Sequence, residues 1–174
     1  FNIDSFIQFG GIHTLQDVVF SGNGEFVQTS GSTQMDSTGS AVFGLDTLVS
    51  AGSLTLNHDA TLPGLSITSG VLTNTANLLV SNLLWNGGTL QGAGTTTISS
   101  QADLTGAAGM TLDTQTLTLQ NVANWSSTSG DLTVSNATIN NQGVFTDSST
   151  RSILGTGTFN NSGSYVLNSA GTSG

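Results

Sequence analysis

The segment TINNQGVFT (residues 138–146) returns twenty positions later as TFNNSGSYV (residues 158–166), with Thr, a large apolar residue, Asn-Asn, Gly and an aromatic in the same order. Twenty positions earlier, residues 118–125 read TLQNVANW, so three copies align. In this alignment one column holds Leu119, Ile139 and Phe159, a second Asn121, Asn141 and Asn161, and a third Trp125, Phe145 and Tyr165. A step of 21 extends the pattern back to Thr97, Ile98 and Leu104, and Gly88, Gly109 and Gly130 share that spacing. A fixed glycine column predicts a backbone corner that needs positive φ or the close approach of neighbouring chain.

Between the columns, apolar and polar residues alternate: LTV at 132–134, SLTL at 53–56 and TLTL at 116–119. This is strand periodicity, with Leu, Val and Ile facing one way and Thr or Ser the other. Short strands that recur every 20 or 21 residues predict the coils of a parallel β-solenoid, three strands to a rung, with rungs stacked about 4.8 Å apart. A β-sandwich also has many short strands and Gly-rich turns. Its strands meet non-repeating neighbours, however, and need no fixed column. The expected fold is therefore all-β, a solenoid of roughly seven rungs, with Leu119, Ile139 and Phe159 stacked inside. Trp125, Phe145 and Tyr165 are expected as an aromatic stack one face further on, and Asn121, Asn141 and Asn161 as a corner ladder whose amides bond above and below.

Residues 1–30 differ from the rest. FNIDSFIQFGGIHTLQDVVF is rich in Phe, Ile and Val and lacks the Asn-Gly column, so this stretch is expected as a terminal cap or lead-in, and residues 31–174 as the repeats. At the other end GSYVLNSAGTSG reads as an unfinished rung, cut from a longer array or covered by another subunit. Phe1, Ile3, Phe6, Ile7 and Phe9 are then the natural complement of Tyr165, Val166 and Leu167, which predicts head-to-tail association into a filament. The first residue is Phe rather than Met, as expected of a processed or excised segment.

Composition narrows the function. Only 6% of the 174 residues are charged, and Arg151 is the one basic side chain against ten carboxylates, a formal net charge of -9. A phosphate backbone or an anionic membrane is repelled by such a chain, so nucleic acid is not an expected partner. No apolar run approaches the length of a membrane span. Cysteine is absent, which removes disulfides and thiol chemistry.

The runs WNGGTLQGAGTTTI (85–98), TLDTQTLTLQNVANW (111–125), ATINNQGVF (137–145) and LGTGTFNNSG (154–163) resemble the β-helical repeats of large bacterial exported proteins of the filamentous haemagglutinin and autotransporter adhesin kind. The likeness covers roughly residues 50–174. It implies a right-handed β-helix, an extracellular or cell-surface location, and a role as stalk, adhesin or matrix component. Its partners would be further repeats, other copies of itself and surface glycans, with no cofactor.

Catalysis finds little support in the residues. Polysaccharide-cleaving β-helices need clustered carboxylates with a basic partner. Lys is absent, Arg151 stands alone, and Asp46, Asp59, Asp103, Asp113, Asp131 and Asp147 are scattered. Asp113 and Asp131, 18 apart, are the pair nearest to a two-carboxylate arrangement, and His58 beside Asp59 resembles a base with its orienting group but has no assigned nucleophile. Neither NGGTLQGAG nor SGNGEF has the Asp of a calcium-binding nonapeptide. Thr95 and Thr97 lie one step of 21 below Thr116 and Thr118, a Thr-x-Thr ladder of the ice-binding type that Ala137 and Ile139 are expected to end. Asn124, Asn136 and Asn160 head formal glycosylation sequons. The alternative to a structural rod is a carbohydrate-binding or carbohydrate-cleaving β-helix, and exposure of Trp85 and Trp125 discriminates between the two.

Overall fold

A strand with apolar residues on one side only is buried when other strands stack on it, and strands of four residues gain little singly. In the computed structural model, which describes residues 5–8, 10–20, 22, 24–37, 41–42 and 44–168, such strands stack throughout. In chain order they are β1 (Ser5–Gln8), β2 (Ile12–Gln16), β3 (Glu25–Gln28), β4 (Ser32–Asp36), β5 (Ala41–Val42), β6 (Asp46–Val49) and β7 (Ser53–Leu56). There follow β8 (Ala60–Ile67), β9 (Val71–Asn74), β10 (Asn77–Trp85), β11 (Gly88–Gln91), β12 (Thr95–Leu104), β13 (Met110–Asp113) and β14 (Thr116–Leu119). The last are β15 (Val122–Trp125), β16 (Leu132–Ser135), β17 (Thr138–Asn141), β18 (Val144–Asp147), β19 (Ile153–Gly155), β20 (Thr158–Asn161) and β21 (Ser164–Leu167).

Among the described residues every pairing is parallel and joins one coil to the next. The first face holds β5, the first halves of β8, β10 and β12, then β14, β17 and β20. The second holds β1, β3, β6, the second halves of those three long strands, then β15, β18 and β21. The third is a separate sheet of eight strands, β2, β4, β7, β9, β11, β13, β16 and β19, which gives about eight coils. The molecule is an all-β solenoid, one coil longer than the sequence spacing suggests.

Coil length is not constant. On the second face the ladder advances 21 residues from Glu25 to Asp46, 18 from Thr47 to Leu65 and 18 from Leu65 to Leu83. It then advances 19 from Trp85 to Leu104, 21 to Trp125, 22 to Asp147 and 20 to Leu167. The corners absorb part of the difference: residues 126–131 make a turn between the second and third faces one residue longer than residues 105–109 in the coil below. The described part of residues 1–30, expected as a terminal cap or lead-in, pairs into the ladder through β1 with β3 and β2 with β4.

The glycine column also differs from expectation. Gly11, Gly31, Gly52, Gly70 and Gly88 line the corner before the third face, where their carbonyls accept the N–H of Ser32, Ser53, Val71 and Thr89 for the first four of them at 2.8 to 3.0 Å. Gly11, Gly31, Gly52 and Gly88 have positive φ, and a Cβ on Gly31 or Gly52 would run into the backbone of the preceding coil. Gly88 thus belongs to the column. Gly109, by contrast, faces open space, and Gly130 is crowded by the carbonyl of Ala108.

Two interior columns show how the core is filled. One runs Phe6, Phe26, Thr47, Leu65, Leu83, Ala102, Ala123, Phe145, Tyr165, and the other Gln28, Val49, Ile67, Trp85, Leu104, Trp125, Asp147. In two successive coils a large residue accompanies a smaller one: Ala123 accompanies Trp125, and Asp147 accompanies Phe145, whereas Leu83 accompanies Trp85. The interior is close-packed, so the loss of volume at Ala123 is offset by Trp125 in the same coil, and that at Asp147 by Phe145.

Candidate functional site

The three columns read from the sequence are re-paired by the 22-residue step. Ile139 and Phe159 do stack, but Leu117 lies beneath them rather than Leu119. Leu119 instead lies beneath Asn141 and Asn161. Asn121 is exposed at the corner between first and second faces, where its carbonyl accepts Val144 N–H at 2.7 Å, level with Gly143 and Gly163. Phe145 and Tyr165 stack as expected, with Ala123 beneath them in place of Trp125. Matching the turns QNV, QGV and SGS at 120–122, 142–144 and 162–164, instead of Asn to Asn, gives this register.

Aromatic clusters occupy both ends. Phe6 stacks on Phe26 with centroids 5.3 Å apart and planes 10° from parallel, and Phe20 closes on both. Phe6, assigned from the sequence to an assembly surface, is therefore packed against the chain's own core, while Ile7 is half exposed. Phe1, Ile3 and Phe9 lie outside the described residues. At the other end Phe145, Phe159 and Tyr165 form a second cluster, and Leu154, Tyr165, Val166 and Leu167 are 49%, 43%, 40% and 64% exposed.

Trp85 and Trp125 are buried, so neither offers a ring to a sugar. The Trp85 indole donates to Gly87 O at 3.0 Å, whereas the Trp125 N–H has no partner among the described residues. His58 turns inward against Met35 O at 3.2 Å while Asp59 turns outward to Asn77, so the two do not form a dyad. Asp113 and Asp131 are likewise apart: Asp113 lies in the third-face ladder beside Ser135, and Asp131 is engaged at the corner by Arg151 and the Ser152 N–H, both at 3.1 Å. The Ser152 N–H, and then Arg151, hold the Asp131 carboxyl below its ordinary range.

The threonine ladder continues beyond its expected end. Thr95, Thr116, Thr138 and Thr158 stack in one outward column, and Thr97, Thr118, Asn140 and Asn160 in the next, because the longer coil brings Thr138 and Asn140 into the places assigned to Ala137 and Ile139.

Most described carboxylates have partners. Asn57 and Gln34 hold Asp36 below the usual range, Gln101 and Asn124 donate to Asp103 at 2.6 and 2.9 Å, and Ser149 and Tyr165 donate to Asp147 at 2.8 and 2.6 Å. Burial, and then the Asp147 carboxylate, push the Tyr165 phenol up to about 12. Glu25 and Asp46, neighbours in one outward column, have no hydrogen-bond or ion-pair partner among the described residues. Beside them a groove of about 420 Å³ crosses the second face, with Pro63 and Gly64 in its lining. Among the described residues no group of three or more His, Asp or Glu side chains is placed to hold a metal.

No protein-family model, no curated protein and no solved structure matches the chain. The β-solenoid stands on its own geometry, and the likeness to exported adhesins remains a likeness of repeats.

Proposed function

We propose that this chain is an extracellular structural element, a stiff β-solenoid rod of a bacterial surface filament, adhesin stalk or matrix, and not an enzyme. The observation that carries the reading is the unbroken interior column from Phe26 to Tyr165, which ties each coil to the next and leaves the outward positions to short, mostly uncharged side chains. A ladder of this kind resists bending and proteolysis because no coil can open without breaking strand pairs on both sides. Six per cent charge and no cysteine suit a rod that needs neither a redox environment nor a charged partner.

Its partners in this reading are further coils. β19, β20 and β21 pair on one side only among the described residues, and Leu154, Tyr165, Val166 and Leu167 are exposed there. Such an edge templates another strand. Head-to-tail contact is heterologous and generates filaments. Sedimentation and negative-stain microscopy over a range of concentrations test this. The expected result is rods that lengthen with concentration, and a variant lacking residues 1–11 that stays β-rich but no longer lengthens. A chain that sediments as a monomer at every concentration contradicts self-assembly.

A further inference from the structure

We infer that the groove on the second face is a binding subsite for a neutral, linear glycan. Its lining is polar and open: Glu25 and Asp46 at one end, Ser66 and Asn82 in the middle, Gln101 and Asp103 at the other. A second hollow of about 270 Å³ shares Asp46 and Pro63 with it, so the concavity extends past the corner toward Gly22 and Gly44. Its depth has a sequence cause. Pro63, the one proline of the chain, and Gly64 interrupt the outward side-chain column between Asp46 and Asn82, and a Cβ on Gly64 would sit 2.6 Å from Asp46 Oδ1.

The donor set fits hydroxyl groups. Carboxylates accept from sugar hydroxyls, and the carboxamides of Asn82 and Gln101 both donate and accept. Glu25, Asp46 and Asn82 make no side-chain hydrogen bond within the described residues, so their capacity is free for a ligand. Leu84, 44% exposed in the same lining, offers an apolar contact for a sugar C–H face in place of the buried tryptophans. Successive coils present these positions about 4.8 Å apart, which favours an extended polymer over a compact ligand. The net charge of -9 and the rim carboxylates exclude uronates and sulfated or phosphorylated chains.

The test is an NMR titration of the whole chain with cellohexaose, xylohexaose, mannohexaose and maltohexaose, alongside hexagalacturonate and a glucosamine hexamer. At least one neutral hexamer is expected to shift the amides of Ser66, Asn82 and Gln101, with hexagalacturonate silent. Ser66→Tyr, which fills the groove, and separately Asp46→Asn with Asn82→Ala should each weaken binding by about tenfold or more, while Thr118→Tyr on the first face leaves it unchanged. Retained strand dichroism verifies folding of each variant. No shift with any neutral hexamer overturns the assignment, as does equal loss in Thr118→Tyr. Binding of the glucosamine hexamer alone, abolished by high salt, would make the groove a cation site and overturn it too.

Discussion

Asn141 stands directly on Leu119, a buried amide on an aliphatic side chain, at the coil where an interior column changes from apolar to polar. Its Nδ2 donates to Asn161 Oδ1 at 2.6 Å and to Ser164 O at 2.9 Å, and its Oδ1 is buried without a partner among the described residues.

That geometry sets the outcome of two substitutions. Asn141→Leu continues the column of Val80, Ile98 and Leu119, removes the orphaned oxygen and leaves Asn161, which is exposed, to water. Its effect on unfolding free energy is expected to stay within about 1 kcal/mol. Asn141→Asp places a carboxylate where two acceptors already converge and should cost about 2 kcal/mol or more. Denaturant melts of both variants check the order, and a larger loss for Leu than for Asp contradicts the placement.

Phe145 is fully buried, stacked on Tyr165 at 5.3 Å and edge-on to Phe159. Phe145→Ala is expected to cost about 3 to 5 kcal/mol. Its neighbour Val144 points outward and is 41% exposed, so Val144→Ala should change stability by under about 0.5 kcal/mol. Comparable losses at the two positions would mean that the faces of β18 are reversed.

Two corner glycines, Gly109 and Gly143, are expected to differ sharply. A Cβ on Gly109 meets nothing within 4 Å, so Gly109→Ala should be nearly silent. Gly143→Ala drives a methyl into the carbonyl of Asn121 in the coil below and should lower the melting temperature by several degrees or prevent folding. Equal tolerance would show that the corner at 142–143 is looser than its hydrogen bonds indicate.

These contrasts mark what is legible in the sequence. Alternation in TLTL and LTVS reveals strands, and recurrence of INN and FNN reveals stacked coils, because both follow from which side chains face inward. The register is hidden by the corners. An alignment that matches Asn121 to Asn141 is chemically persuasive, yet that coil is 22 residues long, partly through the turn at 126–131, and the first copy slips by two residues against the other two. A shift of two keeps the same faces inward, so the fold class survives while the individual pairs change. The groove leaves a fainter trace, one Pro-Gly step in a chain with 23 glycines.

Tyr165 is the only tyrosine, so its titration can be followed by absorbance without overlap from another phenol. Burial first, and the Asp147 carboxylate second, raise its folded value to about 12, above the ordinary value of about 10. The neutral phenol's contribution to stability is accordingly complete below about pH 10 and is lost as pH rises through about 12. Asp147→Asn should bring the midpoint down while leaving it above the ordinary value, since burial persists. A midpoint near 10 in the parent chain would contradict the bond to Asp147 and the partial burial of the phenol.

The register that organises every column is tested most directly by a cysteine pair, because the chain contains no cysteine of its own. Thr118 and Asn140 are ladder partners on the first face. Adjacent parallel strands lie about 4.8 Å apart, within the Cα separation of about 4.4 to 6.8 Å that a disulfide accepts. Thr118→Cys with Asn140→Cys should therefore close an intramolecular disulfide on mild oxidation, measured by thiol titration and mass. Thr118→Cys with Thr138→Cys, the pair that a uniform step of 20 would stack, is displaced two residues along the strand and should keep its thiols. Closure of the second pair and not the first would contradict the register, and with it the interior columns on which the rod depends.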